Sequence, residues 1–327
     1  MIKIALNTIL GLILIFIWSR FVNLEEIFKT ISGVKIVYLI PVFFFMLLSP
    51  VIRALRLKIF LSEVKKISFK DLIFLNGVAM ILNFFIPIRA GELAKGVFLS
   101  TNYKLPFGKA VIWIFLDRFV DFLAVLGVSA ILIGFIPTTL PADFIKIISV
   151  ISIFSLVLTY LAIFQQGFTK KIVGFLKHIF VFSKLKNYFE KTSHFILDAF
   201  TILKRHPKDL FLLILITIFA YGVDALIWYF AFISLGFYQD FLKMYFGQML
   251  SALTYLIPAA PGYVGSAEAS GSLILSGILG IGNNLASAMI VLTHVSTAIF
   301  VIIYGLVSIF NLKIDLRFIL KKSFKRK

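Results

Sequence analysis

Apolar residues run along this chain in long unbroken blocks rather than alternating with polar ones. From Ile4 to Trp18 only Asn7 and Thr8 are polar, and blocks over roughly 4–22, 36–52, 110–136, 144–164, 210–235 and 285–310 share that character. A run of about 18 or more apolar residues is long enough to cross a bilayer as a helix, so each of these blocks predicts a span. Two further blocks, 72–92 and 241–281, are interrupted by prolines, glycines and acids. Segment 165–209 predicts no span. It mixes Lys170, Lys171 and Lys177 with Ile172, Val173, Phe175, Leu176, Ile179 and Phe180, the pattern of a basic amphipathic surface helix, and a second such helix follows over about 186–205. A link along the inner leaflet and a docking face both fit this segment.

Composition agrees with the blocks. Of 327 residues 61% are apolar and 15% charged, and mean hydropathy is +1.03; ordinary soluble domains are about 45–50% apolar and about 25% charged. There is no cysteine, which excludes disulfides, thiolate metal sites and a cysteine nucleophile. No His-Glu-x-x-His run and no Walker-type loop is present. No metal or other cofactor is expected, and no ATP-driven cycle within the chain. The formal charge of +18 points to anionic lipid and not to nucleic acid in so apolar a chain. Trp18, Ser19 and Arg20 follow the first apolar run, so it predicts a retained anchor and not a cleaved signal.

The basic residues predict orientation. Of 33 Lys+Arg, 26 fall in Lys3, 53–71, 93–109, 165–209 and 311–327, and five (Arg20, Lys29, Lys35, Lys146, Lys243) on the opposite side. Both termini are therefore expected in the cytoplasm of an inner membrane. Block 72–92 then enters and leaves from the cytoplasm, and 241–281 enters and leaves from outside. The expected fold is an all-α polytopic membrane protein with an inverted-topology repeat, each half three transmembrane helices plus one re-entrant broken-helix segment. It forms a single transmembrane domain over 1–327, with repeat 1 about 1–136, repeat 2 about 144–310 containing the 165–209 insert, and a basic tail 311–327. At an offset of 176 residues Glu92 meets Glu268 and Arg118 meets His294. Inverted repeats with broken helices are a transporter architecture with the site at the repeat interface.

Charges at membrane depth cost about 2.5–3.5 kcal/mol each on insertion scales, so they require partners or a wet cavity. Asp117, Arg118 and Asp121 share one helix face, and Arg118 is placed to neutralise one carboxylate or both; a structural ion pair and a ligand role both fit. Arg89 and Glu92 sit at the first break, after Pro87, where helix N-termini and a guanidinium favour phosphate. Pairing of Arg89 with Glu92 at the interface is the alternative. Asp224 fits cavity lining or a helix–helix hydrogen bond.

The ordered run Asn83, Pro87, Arg89, Gly91, Glu92, then Asp117-Arg118-x-x-Asp121, then Pro258-x-x-Pro261-Gly262-x-x-Gly265-x-x-Glu268 resembles the lysylphosphatidylglycerol synthase transmembrane-region family, which includes MprF-type flippase domains. The family commonly has glycine where Tyr263 stands and arginine where Lys95 and His294 stand. The resemblance implies a lipid flippase or scramblase-like transporter that moves an anionic, aminoacylated or glycosylated phospholipid between leaflets. Asn83, Arg89, Glu92, Asp117, Arg118, Asp121, Asp224, Glu268 and His294 are then its expected substrate contacts, and Pro87, Gly91, Pro258, Pro261, Gly262 and Gly265 its structural breaks. With only the basic tail Asp315–Lys327 after the last span, transport is expected here and not aminoacyl transfer. The alternative is an accessory subunit or enzyme of lipid or lipid-linked glycan modification. Expected partners are membrane lipids with anionic headgroups, with a separate lipid-modifying enzyme and a second copy of the chain as further candidates.

Overall fold

The computed structural model describes residues 2–62, 64–86, 90–179, 183–205, 207–254 and 260–315, and no strand occurs among them. Helix α1 (Ile2–Ser19) turns by 89° into the short α2 (Leu24–Ser32). The Asn23 side chain starts α2 by accepting the Glu26 N–H, so the first apolar block ends in a bend. Next come α3 (Leu39–Leu61), α4 (Phe69–Phe85), α5 (Ala90–Asn102) and α6 (Phe107–Leu132). Helix α7 (Ala142–Phe164) leads into α8 (Gln166–Ile179) and α9 (Ser183–Arg205), the two surface helices. The chain continues through α10 (Pro207–Ser234), α11 (Phe241–Thr254), α12 (Ser266–Ser272) and α13 (Asn283–Leu312). A π-helical turn, Leu273–Ile278, extends α12.

Among the described residues, four stretches are long and apolar enough to cross a membrane: Ile36–Leu61, Ala142–Phe164, Pro207–Ser234 and Asn283–Leu312, with α1 and α2 together as a bent fifth. Helix α6, expected as a span, has the length but carries Asp117, Arg118 and Asp121 near its middle. Helix α7 shows what surrounds the molecule. Of its 23 residues only Ser152 and Ile163 are buried, and Val150, Ile153 and Phe154 are 65%, 57% and 61% exposed. An outer face so uniformly apolar suits hydrocarbon and not water. The chain is a multi-pass membrane protein.

Helices α3 and α10 run against each other, α4 packs along α13, and α11 packs on α6. Small residues permit the α4–α13 approach: Gly77 lies against Ser308 and Tyr304, and Gly305 against Ile81. Ala90 and Ser266, which open α5 and α12, are 176 residues apart, as are Phe107 and Asn283, which open α6 and α13. Each half therefore carries the string helix, break, helix, helix, and lays the first helix of that string on the last helix of the other.

One boundary differs from expectation. The second span was expected to end at residue 52, before the cations of 53–71, yet α3 continues to Leu61. Pro50 inside it lacks an N–H, and Asn76 Nδ2 donates to the Pro50 carbonyl at 3.0 Å, which ties α4 to the irregular turn. Arg53 and Arg56 are thus members of a helix and not of a cytoplasmic loop, and Arg56 is 1% exposed. The bias of the remaining cations is unchanged in direction.

The 165–209 segment forms the two expected amphipathic helices. Helix α9 buries Leu197, Ala199, Phe200 and Leu203 on the bundle. Lys177 Nζ reaches Glu190 at 2.6 Å and joins α8 to α9. That hydrogen bond holds the Glu190 carboxyl below the usual carboxylate range, so whatever the link contributes is present at neutral pH and fades as the pH falls through the folded value.

Candidate functional site

At the first break, α4 and α5 fold back on each other across residues 86–89. Asn83 Oδ1, on the last turn of α4, accepts the Gly91 N–H at 2.8 Å. It thereby satisfies one of the free donors at the start of α5. A Cβ at Gly91 would fall on the backbone of Ala79, so the hairpin closes only around glycine. Glu92 stands in the first turn of α5, where the helix dipole favours an anion. Lys95, 5% exposed, lies one turn further on with Nζ 3.4 Å from Glu92 Oε2. Pro87 and Arg89 lie outside the described residues.

Behind Glu92 is a buried ion network. Arg56 of α3 places Nε 2.9 Å from Asp117 Oδ1, donates to Asp121, and reaches Thr217 of α10 at 2.7 Å. Arg118 bridges the same two carboxylates from the other side, at 2.5 Å to Asp117 Oδ2 and 2.9 Å to Asp121 Oδ2. The α6 acids therefore each meet two guanidiniums, and the second, Arg56, was not expected at depth. Its signal was faint: two arginines three apart on a helix that continues past Pro50.

Two polar atoms of this cluster stand out. Glu92 Oε2 and Arg118 Nε are buried and have no hydrogen-bond partner within the described protein. The Arg118 side chain is also 32% exposed, so the cluster opens on one side. Glu92, Asp117 and Asp121 balance Lys95, Arg56 and Arg118 in formal charge. Among the described residues, Glu92 Oε2 thus has only the 3.4 Å ion-pair approach of Lys95, and Arg118 Nε has no acceptor. Buried groups without partners are rare enough to need a cause, and a ligand is one.

The second break is built differently. Pro261 opens a single turn, Pro261–Tyr263, and Gly262, Tyr263 and Gly265 hold φ of +70°, +58° and +77°. Glycine enters that region freely, whereas Tyr263 pays a steric cost there. Glu268 Oε2 accepts the Gly265 N–H at 2.7 Å and caps α12. Its Oε1 meets His294 Nδ1 at 2.5 Å, and His294 Nε2 meets the Gly262 carbonyl at 2.7 Å. Pro258 lies outside the described residues. The two breaks approach each other, for the Phe84 ring is 6.1 Å from Tyr263 and 6.4 Å from His294. Glu268 pairs with a residue 26 positions on, and Glu92 lies within electrostatic reach of Arg118, at the same interval.

Asp224 takes part in neither break. Its Oδ2 is 2.6 Å from Arg53 Nη2, and its Oδ1 accepts from Ser49 at 2.6 Å, which ties α10 to α3. A neutral trio, Trp18 Nε1 with Ser272 and Ser287 Oγ at 3.0 and 3.2 Å, fastens α1 to α12 and α13; nothing in the spacing of these residues announced it.

No curated protein and no solved structure matches the chain. The profile of the family described as lysylphosphatidylglycerol synthase TM region matches residues 2–305. That match runs from the start of α1 to Gly305 within α13 and includes both breaks and the ion network described above, and the chain belongs to this family.

Proposed function

We propose that the protein moves a polar phospholipid between the leaflets, as a flippase or scramblase-like transporter. The observation that carries the reading is a pair of buried atoms, Glu92 Oε2 at the first break and Arg118 Nε on α6, that make no hydrogen bond among the described residues. Together they offer an acceptor to a cationic group and a donor to a phosphate or carbonyl oxygen, the two functions of an aminoacylated or zwitterionic headgroup. Family membership agrees with a lipid-related role. An enzyme built on Asp117 and Asp121 is less favoured, because both carboxylates are engaged by Arg56 and Arg118 and neither is free as an acid, base or metal ligand.

The breaks act as re-entrant hairpins in an inverted repeat. Support comes from the shared spacing of 176 residues between helix starts and from the meeting of the breaks at Phe84. The charge bias supports an inner-membrane location with cytoplasmic termini. Because the chain lacks cysteine, single cysteines at the exposed Thr101 and Tyr238 report sidedness. Thr101→Cys is expected to label from the cytoplasm and Tyr238→Cys from outside; labelling of both from one side contradicts the inverted arrangement. Transport itself is tested with purified protein in vesicles, following leaflet-resolved movement of phospholipids with anionic, aminoacylated and zwitterionic headgroups. Faster movement of at least one class than in protein-free vesicles is expected, and equal rates for all contradict the proposal.

A further inference from the structure

His294 sits between two acceptors, and that geometry fixes its protons. The Gly262 carbonyl only accepts, so Nε2, 2.7 Å away, must carry hydrogen. Nδ1 faces Glu268 Oε1 at 2.5 Å. A hydrogen bond between a ring nitrogen and a carboxyl oxygen holds one proton, whether on the nitrogen or on the oxygen. With no proton there, the imidazole lone pair would face a carboxylate and the contact would open. A second proton on the carboxyl has no place either, because Glu268 Oε2 is occupied as the acceptor of the Gly265 N–H. The pair is therefore closed with one proton and open with none.

Closure has a mechanical consequence. Glu268 belongs to α12 and holds the Gly265 end of the turn, while His294 belongs to α13 and holds the Gly262 end. One proton thus fastens both ends of the 260–265 turn to α13. The surroundings leave the pair isolated. Helix α1 brings Gly11 and Ile15 here, and α4 brings Phe84. Tyr263 is the other titratable side chain at the Phe84 ring, and among the described residues the charges acting on Glu268 and His294 are each other's.

We propose that Glu268 and His294 form a single-proton site that latches the second break to α13, and that lipid movement is coupled to filling and emptying of this site. On opening, the bridging proton leaves to water, and the lone pair and carboxylate separate; on closing, the reverse occurs. The coupling rests on the transport reading given above, whereas the proton site does not.

The chain has four histidines, so selective ¹⁵N-histidine labelling resolves each ring by NMR, and His294→Arg identifies the signal. The His294 titration midpoint is expected to differ by about one pH unit or more between wild type and Glu268→Gln, since the glutamine supplies neither charge nor a proton to share. Equal midpoints overturn the proton site, whatever the vesicles do. In vesicles, an imposed pH gradient is expected to bias net headgroup movement in wild type, by up to about tenfold per pH unit. In His294→Arg and Glu268→Gln the ratio of movement with and without the gradient should fall to about one. A shifted midpoint with no lipid movement in any vesicle upholds the proton site and overturns the transport reading. Lipid movement indifferent to the gradient in wild type overturns the coupling.

Discussion

Arg56→Met is expected to cost about 3–5 kcal/mol of stability, the penalty of leaving a buried charge uncompensated. The side chain is 1% exposed and meets Asp117 and Asp121 of α6 and Thr217 of α10. Without it, one guanidinium, Arg118, must serve two carboxylates buried in the middle of α6. Methionine fills much of the volume, so the loss is electrostatic and not a cavity effect. Arg56→Lys should recover only part of it, since an ammonium cannot make the forked contact. Arg56→Met combined with Asp117→Asn should be more stable than Arg56→Met alone, because the second change removes the uncompensated charge. Thermal unfolding in nanodiscs reads all four proteins. A wild-type midpoint for Arg56→Met would mean that the acids are neutral and the network is not ionic.

Glu92→Gln is expected to act in the opposite way, sparing the fold and stopping transport. Among the described residues the carboxylate makes a 3.4 Å ion-pair approach to Lys95, and its Oε2 accepts no hydrogen bond. Glutamine keeps the shape and the position at the start of α5. Lys95, 5% exposed, keeps the Asp117 carboxylate within electrostatic reach, so the folded state should lose less than in Arg56→Met. A passing headgroup loses more. A hydrogen bond to a charged partner contributes about 1.5–3 kcal/mol, so transport should fall by about tenfold to about a hundredfold.

Much of this arrangement was legible in the residues because hydrocarbon leaves few options. Long apolar blocks have to be helices when no water can serve the backbone. Prolines and glycines between Asn83 and Glu92, and again between Pro258 and Gly265, pointed to interruptions, with kinked, tightly packed helices as the alternative. The bend at Asn23 was hidden, because what fixes it is remote: Asn284 accepts the Asn23 N–H at 3.0 Å. Arg53 and Arg56 were misplaced for a similar reason. A cation after an apolar block usually marks the end of a span, and only the fold brings up Asp224, 171 residues away, and Asp117, 61 residues away. Lys95 was counted among the cytoplasmic cations of 93–109, although it stands one helical turn from Glu92. The π-helical turn at Leu273–Ile278 has no periodicity of its own to read.

The most direct test of a headgroup site at the first break is phospholipid translocation by Glu92→Gln and wild type, reconstituted side by side and normalised to folded protein. The predicted result is a loss of about tenfold or more at an unchanged unfolding temperature. A variant that moves lipid at the wild-type rate would contradict the site, and a loss of rate that only follows a loss of folded protein would reduce Glu92 to a structural residue.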